Sequence, residues 1–274
     1  MTGKILLVED NKINQEVAQE LLQLSGFQVY IAGNGKQALD LYVNQTEKYD
    51  AILMDIQMPV LDGYAATKRI RHHESEQSRL PVPIIAMTAH AMTGEKARCL
   101  SAGMNDYTTK PIDPDILIQT LCRWIPHLKN SFVPKTQSAV QTLLTTTYPG
   151  LNIANGLARV SNQEDTYLSI LKSFVHDFSD CATQIIQEYE NQFYDQVKRL
   201  VHTLKGVSGN IGAGYILNTC CDIEILLKNQ EYHSVEKHLQ SLEMNLTDTI
   251  NAIQSIVQSE KEKKFLNLTQ LTIP

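Results

Sequence analysis

The chain has 274 residues, a length that suits about two domains of typical size. It is 43% hydrophobic and 20% charged, which excludes a chain disordered throughout, and its formal charge of −6 argues against nucleic acid or an anionic membrane as the main partner. The cysteines show no metal-ligand spacing, so we expect reduced thiols in a cytoplasmic protein. No apolar run is long enough for a signal peptide or a membrane span, so we expect no membrane insertion.

Residues 1–128 are predicted to form an alternating α/β domain. Short apolar runs typical of buried strands alternate with segments whose apolar residues recur at helical spacing. The predicted strands are residues 4–8, 28–32, 51–54, 84–87 and 106–108. The predicted helices are residues 14–24, 35–42, a segment that follows the turn at 62–63 and ends near 71, and residues 94–100 and 113–124. Such repeats indicate a doubly wound parallel sheet with right-handed crossovers and helices on both faces.

Polar residues stand at the carboxyl ends of four predicted strands. They are Glu9, Asp10, Asp55, Thr88 and Lys110. Taken alone, each residue would more often be a helix cap, a packed hydroxyl or a surface charge. Parallel strands, however, bring their carboxyl ends to one crevice, so these residues are expected to lie together there. Three carboxylates there would raise one another's pKa unless a cation is bound, and Mg²⁺ suits a few oxygen ligands. A carboxylate beside Mg²⁺ and a lysine is suited to accept a phosphoryl group as a nucleophile.

Four motifs around these residues resemble the receiver domain of two-component response regulators. They are Val8–Asn11, Met54–Gly63, Ala86–Ala91 and Asp106–Pro111. The similarity covers roughly residues 3–126, and it implies a flavodoxin-like, five-stranded sheet with the strand order 2-1-3-4-5.

The resemblance also implies a phosphoacceptor and a metal site. Asp55 is the residue that would be phosphorylated. Glu9 and Asp10 form the acidic pair that would bind Mg²⁺ together with Asp55, and Gln57 would contribute its backbone carbonyl.

Further roles follow from the same resemblance for residues around the acceptor. Thr88 would be the switch hydroxyl, and Tyr107 the switch aromatic that moves inward on activation. Lys110 would pair with the phosphate, and its bond to Pro111 is expected to be cis. Ala89 is small, which would leave room for the switch to move.

The second half of the chain is predicted to be helical. A linker rich in Ser, Thr and Gln is expected at 129–147, with short helicity considered around 140–144, before a helical domain at 148–260 and a tail at 261–274. Apolar residues at helical spacing predict one long helix over 164–189 and others over 194–208, 215–227 and 235–257. Helices of this kind, joined by short connections, pack as an antiparallel bundle.

His202 lies outside the apolar stripe of its predicted helix. Lys198, Lys205, Gly206 and Gly209 share its face. Glycine within a helix costs about 1 kcal/mol, so two glycines on one face suggest clearance for a partner that reaches the imidazole. The two lysines would offset phosphoryl charge. A surface histidine beside a loosely packed turn is the alternative interpretation.

The segments around His202 resemble the histidine phosphotransfer domain of phosphorelays over roughly residues 148–258. The segments that carry this resemblance are 202–206, 209–213, 222–224, 150–153 and 156–159. The resemblance implies that His202 carries a phosphoryl group and that Lys205 and Gly206, with Gly209 nearby, shape the docking surface.

An aspartyl acceptor and a histidyl carrier on one chain suggest consecutive stations of a phosphorelay. We hypothesise that a sensor histidine kinase donates to Asp55 and that His202 exchanges phosphoryl groups with Asp55 or with a downstream response-regulator receiver. The sequence shows no P-loop, kinase signature, ATP-binding domain or DNA-binding module, so we expect a phosphotransfer intermediate rather than an ATP-dependent kinase.

Other interpretations stay open. The chain could be the C-terminal part of a hybrid sensor kinase, although Met1 close to the first strand weakly favours a complete two-domain protein. A metal-dependent phosphohydrolase would require a second acid close behind Asp55, where Ile-Gln-Met-Pro stands instead. A scaffold with vestigial acceptors is disfavoured because every pocket position keeps competent chemistry.

Overall fold

The computed structural model describes residues 3–44, 48–88, 93–128 and 148–270, the side chains of 93–95 and 261–270 excepted. The chain divides into two compact units, an α/β unit followed by a helical unit. The predicted linker at 129–147 lies outside the described residues. The boundaries of the linker and of the two domains therefore remain predictions.

The N-terminal unit has the predicted doubly wound architecture. Its strands are β1 (Lys4–Val8), β2 (Gln28–Ala32), β3 (Ala51–Asp55), β4 (Ile84–Thr88) and β5 (Asp106–Thr109). Its helices are α1 (Lys12–Leu24), α2 (Gly35–Asn44), α3 (Gly63–Glu76), α4 (Thr93–Ser101) and α5 (Pro114–Trp124), followed by a 3-10 turn at Pro126–Leu128. All neighbouring strands pair in parallel in the order β2-β1-β3-β4-β5, which confirms the predicted order.

Alternate residues of the central strands face two separate cores. Ile5 and Leu7 pack with residues of α1 and α5 on one face of the sheet. Leu6 and Val8 pack with residues of α2, α3 and α4 on the other face. Because both faces are covered, these strands are continuously apolar until they end, and the first polar side chains appear at their carboxyl ends.

Three helices that follow strand ends begin at side-chain caps. The side chains of Asn11, Asp62 and Asp113 accept backbone N–H groups in the first turns of α1, α3 and α5. These caps satisfy donors that the helix itself leaves unpaired. They also fix the position of the loops after β1, β3 and β5. These loops lie at the edge of the sheet that carries the polar residues.

Helix α3 extends beyond the predicted end near Arg71. Its last turn carries Glu74, which is buried and accepts hydrogen bonds from the Tyr42 hydroxyl at 2.7 Å and the Val82 N–H at 2.8 Å. Arg71 donates to the same carboxylate at 2.7 Å. A polar network thus holds the last turn in place, and an apolar stripe alone could not have predicted it.

The second unit contains α6 (Ile153–Arg159), α7 (Glu164–Phe178), α8 (Cys181–Glu190), α9 (Tyr194–Ile211), α10 (Gly214–Lys228) and α11 (Tyr232–Gln270). The prediction of one helix over 164–189 is wrong, because the chain leaves the helix at Ser179 and Asp180. At the end of α7, the Ser179 hydroxyl donates to the Val175 carbonyl. The last helix reaches Gln270, so residues 261–270 of the predicted tail are helical.

Helix α9 is central to the helical unit. It packs against α7, α8 and α10, and α11 packs in turn against α7, α8 and α10. The Tyr167 hydroxyl donates to the Ile211 carbonyl at 2.8 Å, and Gly212 ends α9 in the left-handed conformation. In the described part of the chain, no helix combines the length and the apolarity that crossing a membrane requires.

Candidate functional site

Three carboxylates meet at the carboxyl edge of the sheet. Oxygen atoms of Glu9, Asp10 and Asp55 all lie within 4.8 Å of one another. Glu9 follows β1 and Asp55 ends β3, and these two strands are paired neighbours. Glu9 is 1% exposed and Asp55 is 3% exposed, so two of the three carboxylates lie in the interior.

Lys110 closes this cluster from the end of β5. Its ammonium donates to Glu9 Oε2 at 2.5 Å and to Asp55 Oδ2 at 2.7 Å. Its backbone N–H donates to the Thr88 carbonyl at 2.7 Å, and the peptide bond to Pro111 is cis, as the resemblance implied. The structure therefore brings together the predicted carboxylates and the predicted lysine.

The electrostatics of the cluster follow from its burial. Burial is the main reason why the pKa of Asp55 rises to about 8, and the charge of Glu9 raises it further. Burial lowers the pKa of Lys110, but the charges of Asp55 and Glu9 outweigh this effect and raise it. One ammonium faces three carboxylates, so negative charge remains that a divalent cation could balance.

Asn14 supports the cluster and was not predicted from the sequence. Its side-chain amide is buried and donates to Glu9 Oε1 at 2.9 Å, while Lys110 binds the other oxygen of Glu9. Gln15 donates to the backbone carbonyl of Glu9 at 2.6 Å. The first turn of α1 thus fixes the Glu9 carboxylate, an arrangement that the spacing of apolar residues does not predict.

Thr88 and Gln57 lie beside the cluster. Thr88 is buried at the end of β4, where it pairs in register with Thr109 of β5. The backbone N–H of Gln57 lies 3.4 Å from Asp55 Oδ1. The loop after β3 therefore runs close to the carboxylate, as a contribution from the Gln57 carbonyl to a metal site would require.

Tyr107, the predicted switch aromatic, lies on β5 with its side chain partly buried. It packs against the core on the side of the sheet that faces α2, α3 and α4. The ammonium of Lys96 lies 5.7 Å from the centroid of the Tyr107 ring, within the range of a cation–π contact. Ala89, expected to leave room for the switch, lies outside the described residues.

A second polar cluster surrounds His202 on α9. The Nδ1 atom of His202 lies 2.9 Å from Glu224 Oε1 on α10, and the ammonium of Lys205 donates to the other oxygen of Glu224. The side chains of His202 and Glu224 are 14% and 11% exposed. Burial raises the pKa of Glu224, but hydrogen bonds and charges from His202 and Lys205 outweigh this effect and lower it.

The surroundings of His202 differ from the predicted open face. Lys205, Gly206 and Gly209 are buried, and the helix that carries them packs against α7, α8 and α10. Lys198 is exposed and lies 3.4 Å from Asp195. Among the residues proposed for the docking surface, Lys205 is therefore an interior ion-pair partner in the free protein.

Two family models match the chain. The response regulator receiver domain matches residues 5–122, and the Hpt domain matches residues 169–256. Residues 5–122 therefore belong to the receiver-domain family and residues 169–256 to the Hpt-domain family, in that order along the chain.

Curated relatives and solved structures are similar to one or both domains. Sensor histidine kinase GacS of Pseudomonas protegens is 33% identical over 83% of this chain and 24% of its own length. Hybrid signal transduction histidine kinase I of Dictyostelium discoideum is 46% identical over 47% of this chain and 8% of its own length. The chain therefore spans a quarter or less of these relatives.

A crystal structure of the receiver domain of a Pseudomonas aeruginosa sensor histidine kinase has magnesium coordinated in its active site cleft. It is 47% identical to this chain, and the similarity covers 46% of this chain and 98% of that domain, with a TM-score of 0.41.

Proposed function

We propose that this chain is a phosphorelay intermediate that accepts a phosphoryl group on Asp55 and relays phosphoryl groups through His202. The observation that carries the proposal is the buried Asp55 carboxylate, flanked by Glu9 and Asp10 and bound by the Lys110 ammonium. A sensor histidine kinase is the proposed donor, and a downstream receiver domain is the proposed acceptor. The five cysteines are free, which suits a reducing cytoplasm.

The acidic cluster fits a magnesium ion. Its ligands are hard oxygen atoms close enough to share one ion, and its charge is only partly compensated by Lys110. Glu9, Asp10 and Asp55, with the Gln57 carbonyl, are the residues that would hold Mg²⁺. The ion would neutralise charge on the phosphoryl oxygens.

Asp55 acts as the nucleophile in the proposed transfer. One of its carboxylate oxygens attacks the phosphorus of a donor phosphohistidine, so that a P–O bond forms while the P–N bond breaks and its electron pair returns to the donor imidazole. Lys110 then shifts its ammonium from the Asp55 carboxylate toward the phosphoryl oxygens. Thr88 at the adjacent strand end reaches the same oxygens, and Tyr107 follows as the second part of the switch.

Two variants test these assignments with acid and base lability as the readout. Asp55→Asn should abolish the acid- and base-labile acyl phosphate that a histidine kinase installs, while its circular dichroism stays that of the parent chain. His202→Gln should retain this label and lose onward transfer to a partner receiver. Undiminished acyl phosphate in the first variant, or continued transfer in the second, would refute the corresponding assignment.

A further inference from the structure

Helix α4 carries two cations, and each lies against an aromatic ring of a neighbouring element. The Arg98 guanidinium lies 5.0 Å from the ring centroid of Tyr64 on α3, and the Lys96 ammonium lies 5.7 Å from the ring centroid of Tyr107 on β5. Among the side chains of α4 that the structure describes, only that of Cys99 is buried. With so little buried surface, α4 depends on such surface contacts more than a deeply packed helix would.

The register of β4 and β5 defines the direction in which the ring of Tyr107 can turn inward. The partner of Tyr107 on β4 is Ala86, a small residue, and Thr88 is the next residue of β4 on the same face. Thr88 is 5% exposed, whereas the ring of Tyr107 is partly buried and Lys96 is exposed. A ring that turns inward therefore passes from the side of α4 toward the buried end of β4.

The ammonium of Lys96 cannot follow the ring on this path. It is exposed to solvent, and it would lose its hydration beside the buried Thr88, which is unfavourable for a charge. The contact between the ammonium and the ring of Tyr107 thus belongs to the position seen here and is lost in the inward position. An interaction that is made in only one of two positions shifts the equilibrium toward that position.

We propose that Lys96 is a positioning residue of the switch, whose ammonium holds the ring of Tyr107 beside α4 and thereby sets the fraction of chains in which the ring lies inward. This inference rests on the proposed roles of Asp55 as the acceptor and of Tyr107 as the switch aromatic. Because the cation is exposed, its contact with the ring should change the equilibrium by a factor of about two to five.

The first test follows the ring of Tyr107 in the full chain by NMR of carbon-13 ring-labelled tyrosine. Tyr107→Phe identifies the signal, and Mg²⁺ with beryllofluoride, a phosphoryl mimic that binds carboxylates, supplies the inward position. Lys96→Met keeps the length of the side chain and loses its charge, so its free signal should lie closer to the inward position than that of the parent chain. With saturating beryllofluoride, parent and variant should give the same signal, because the contact is broken in both.

The second test measures the affinity of the chain for beryllofluoride in the presence of Mg²⁺. A ligand that requires the inward ring has an apparent dissociation constant inversely proportional to the fraction of chains with the ring inward. This constant should therefore fall about two- to fivefold in Lys96→Met. Lys96→Arg should stay near the parent value, since a guanidinium also binds the face of an aromatic ring.

A matched control separates this effect from a general loss of charge. Lys68→Met removes an exposed lysine of α3 and should match the parent chain in both tests. If Lys96→Met also matches the parent, or if Lys96→Arg behaves like Lys96→Met, the charge of Lys96 does not hold the ring and the inference is wrong. A difference between the saturated signals as large as that between the free signals would overturn it as well.

Failure of the proposed function would give a different pattern. A parent chain that binds no beryllofluoride would refute Asp55 as the acceptor site. A parent chain that binds it without any movement of the Tyr107 signal would refute the proposed switch, and with it the role of Lys96.

Discussion

The ammonium of Lys110 is shared by two buried carboxylates, those of Glu9 and Asp55. These three groups come from the ends of three different strands, and Glu9 and Lys110 are separated by 101 positions in the sequence. The charges could not remain in the interior without one another. A residue proposed to bind phosphate in the active form therefore also holds the resting site together.

Removing this ammonium should destabilise the metal-free protein. Lys110→Met leaves Glu9 and Asp55 buried without a cation, and we expect the free energy of unfolding to fall by about 3 kcal/mol. Added Mg²⁺ should restore part of this loss, since it binds the same carboxylates. Urea unfolding with and without Mg²⁺ measures both effects. The exposed Lys68→Met on α3 is the control, and equal stability of the two variants would contradict the expectation.

The lowered pKa of Glu224 gives a pH-dependent contribution to stability. A carboxyl group whose pKa is lower in the folded state stabilises the protein above its unfolded pKa, about 4.3, and this contribution is lost as pH falls through the folded value. The stability difference between the parent chain and Glu224→Gln should therefore shrink below about pH 4. Urea unfolding between neutral and acidic pH tests this, and a constant difference would contradict it.

At the scale of elements, the close approach of α3 to the end of β3 positions Asp55. Gly63, the first residue of α3, lies so close that an added Cβ atom would meet the Asp55 carbonyl oxygen at 2.1 Å. The Gly63 N–H also donates to the Ile56 carbonyl at 3.0 Å. The loop that follows the proposed acceptor is therefore held by a backbone contact for which only glycine has room.

Gly63→Ala should push α3 away from the strand end. We expect a loss of about 1–3 kcal/mol in stability together with weaker Mg²⁺ binding, because the Asp55 backbone must shift. Gly33→Ala is the matched control, since its added Cβ would meet only the flexible Gln37 side chain at 3.3 Å. Thermal unfolding and Mg²⁺ titration check both variants, and equal losses would show that the contact at Gly63 is not the cause.

The strands could be predicted because the spacing of apolar residues is a local property of the sequence. The polar residues at their ends could be predicted to meet because parallel strands end at the same edge of a sheet. The sequence did not predict which neighbouring side chains form hydrogen bonds to those polar groups. Asn14 on Glu9 and Glu224 on His202 are hydrogen bonds set by the packing of neighbouring elements. The break at Ser179 and Asp180 was missed because the apolar spacing continues across it.

At the scale of the whole molecule, the covalent connection of the two domains would make a transfer from Asp55 to His202 of the same chain unimolecular. The sequence predicts a linker at 129–147, and a coil of that length would have a root-mean-square span of roughly 25 Å and would give an effective concentration near the millimolar range. The two acceptors of one chain would then meet more often than acceptors of separate chains at micromolar concentration.

Transfer from Asp55 to His202 within the chain should therefore not depend on protein concentration. After the receiver is labelled, the first-order rate should stay constant from about 1 to 100 μM, well below the effective concentration of the tethered domains. A mixture of Asp55→Asn and His202→Gln chains can transfer only between molecules, and its rate should rise in proportion to concentration. A parent rate that rises in the same way would contradict transfer within one chain.

The identity of the phosphoacceptor is the claim on which the whole account depends. Sodium borohydride reduces an aspartyl phosphate to homoserine, which tandem mass spectrometry can locate in the chain. After incubation with acetyl phosphate and Mg²⁺, we expect homoserine at position 55 and none when Mg²⁺ is removed. Homoserine at another aspartate, or equal conversion of Asp55 without Mg²⁺, would contradict the account.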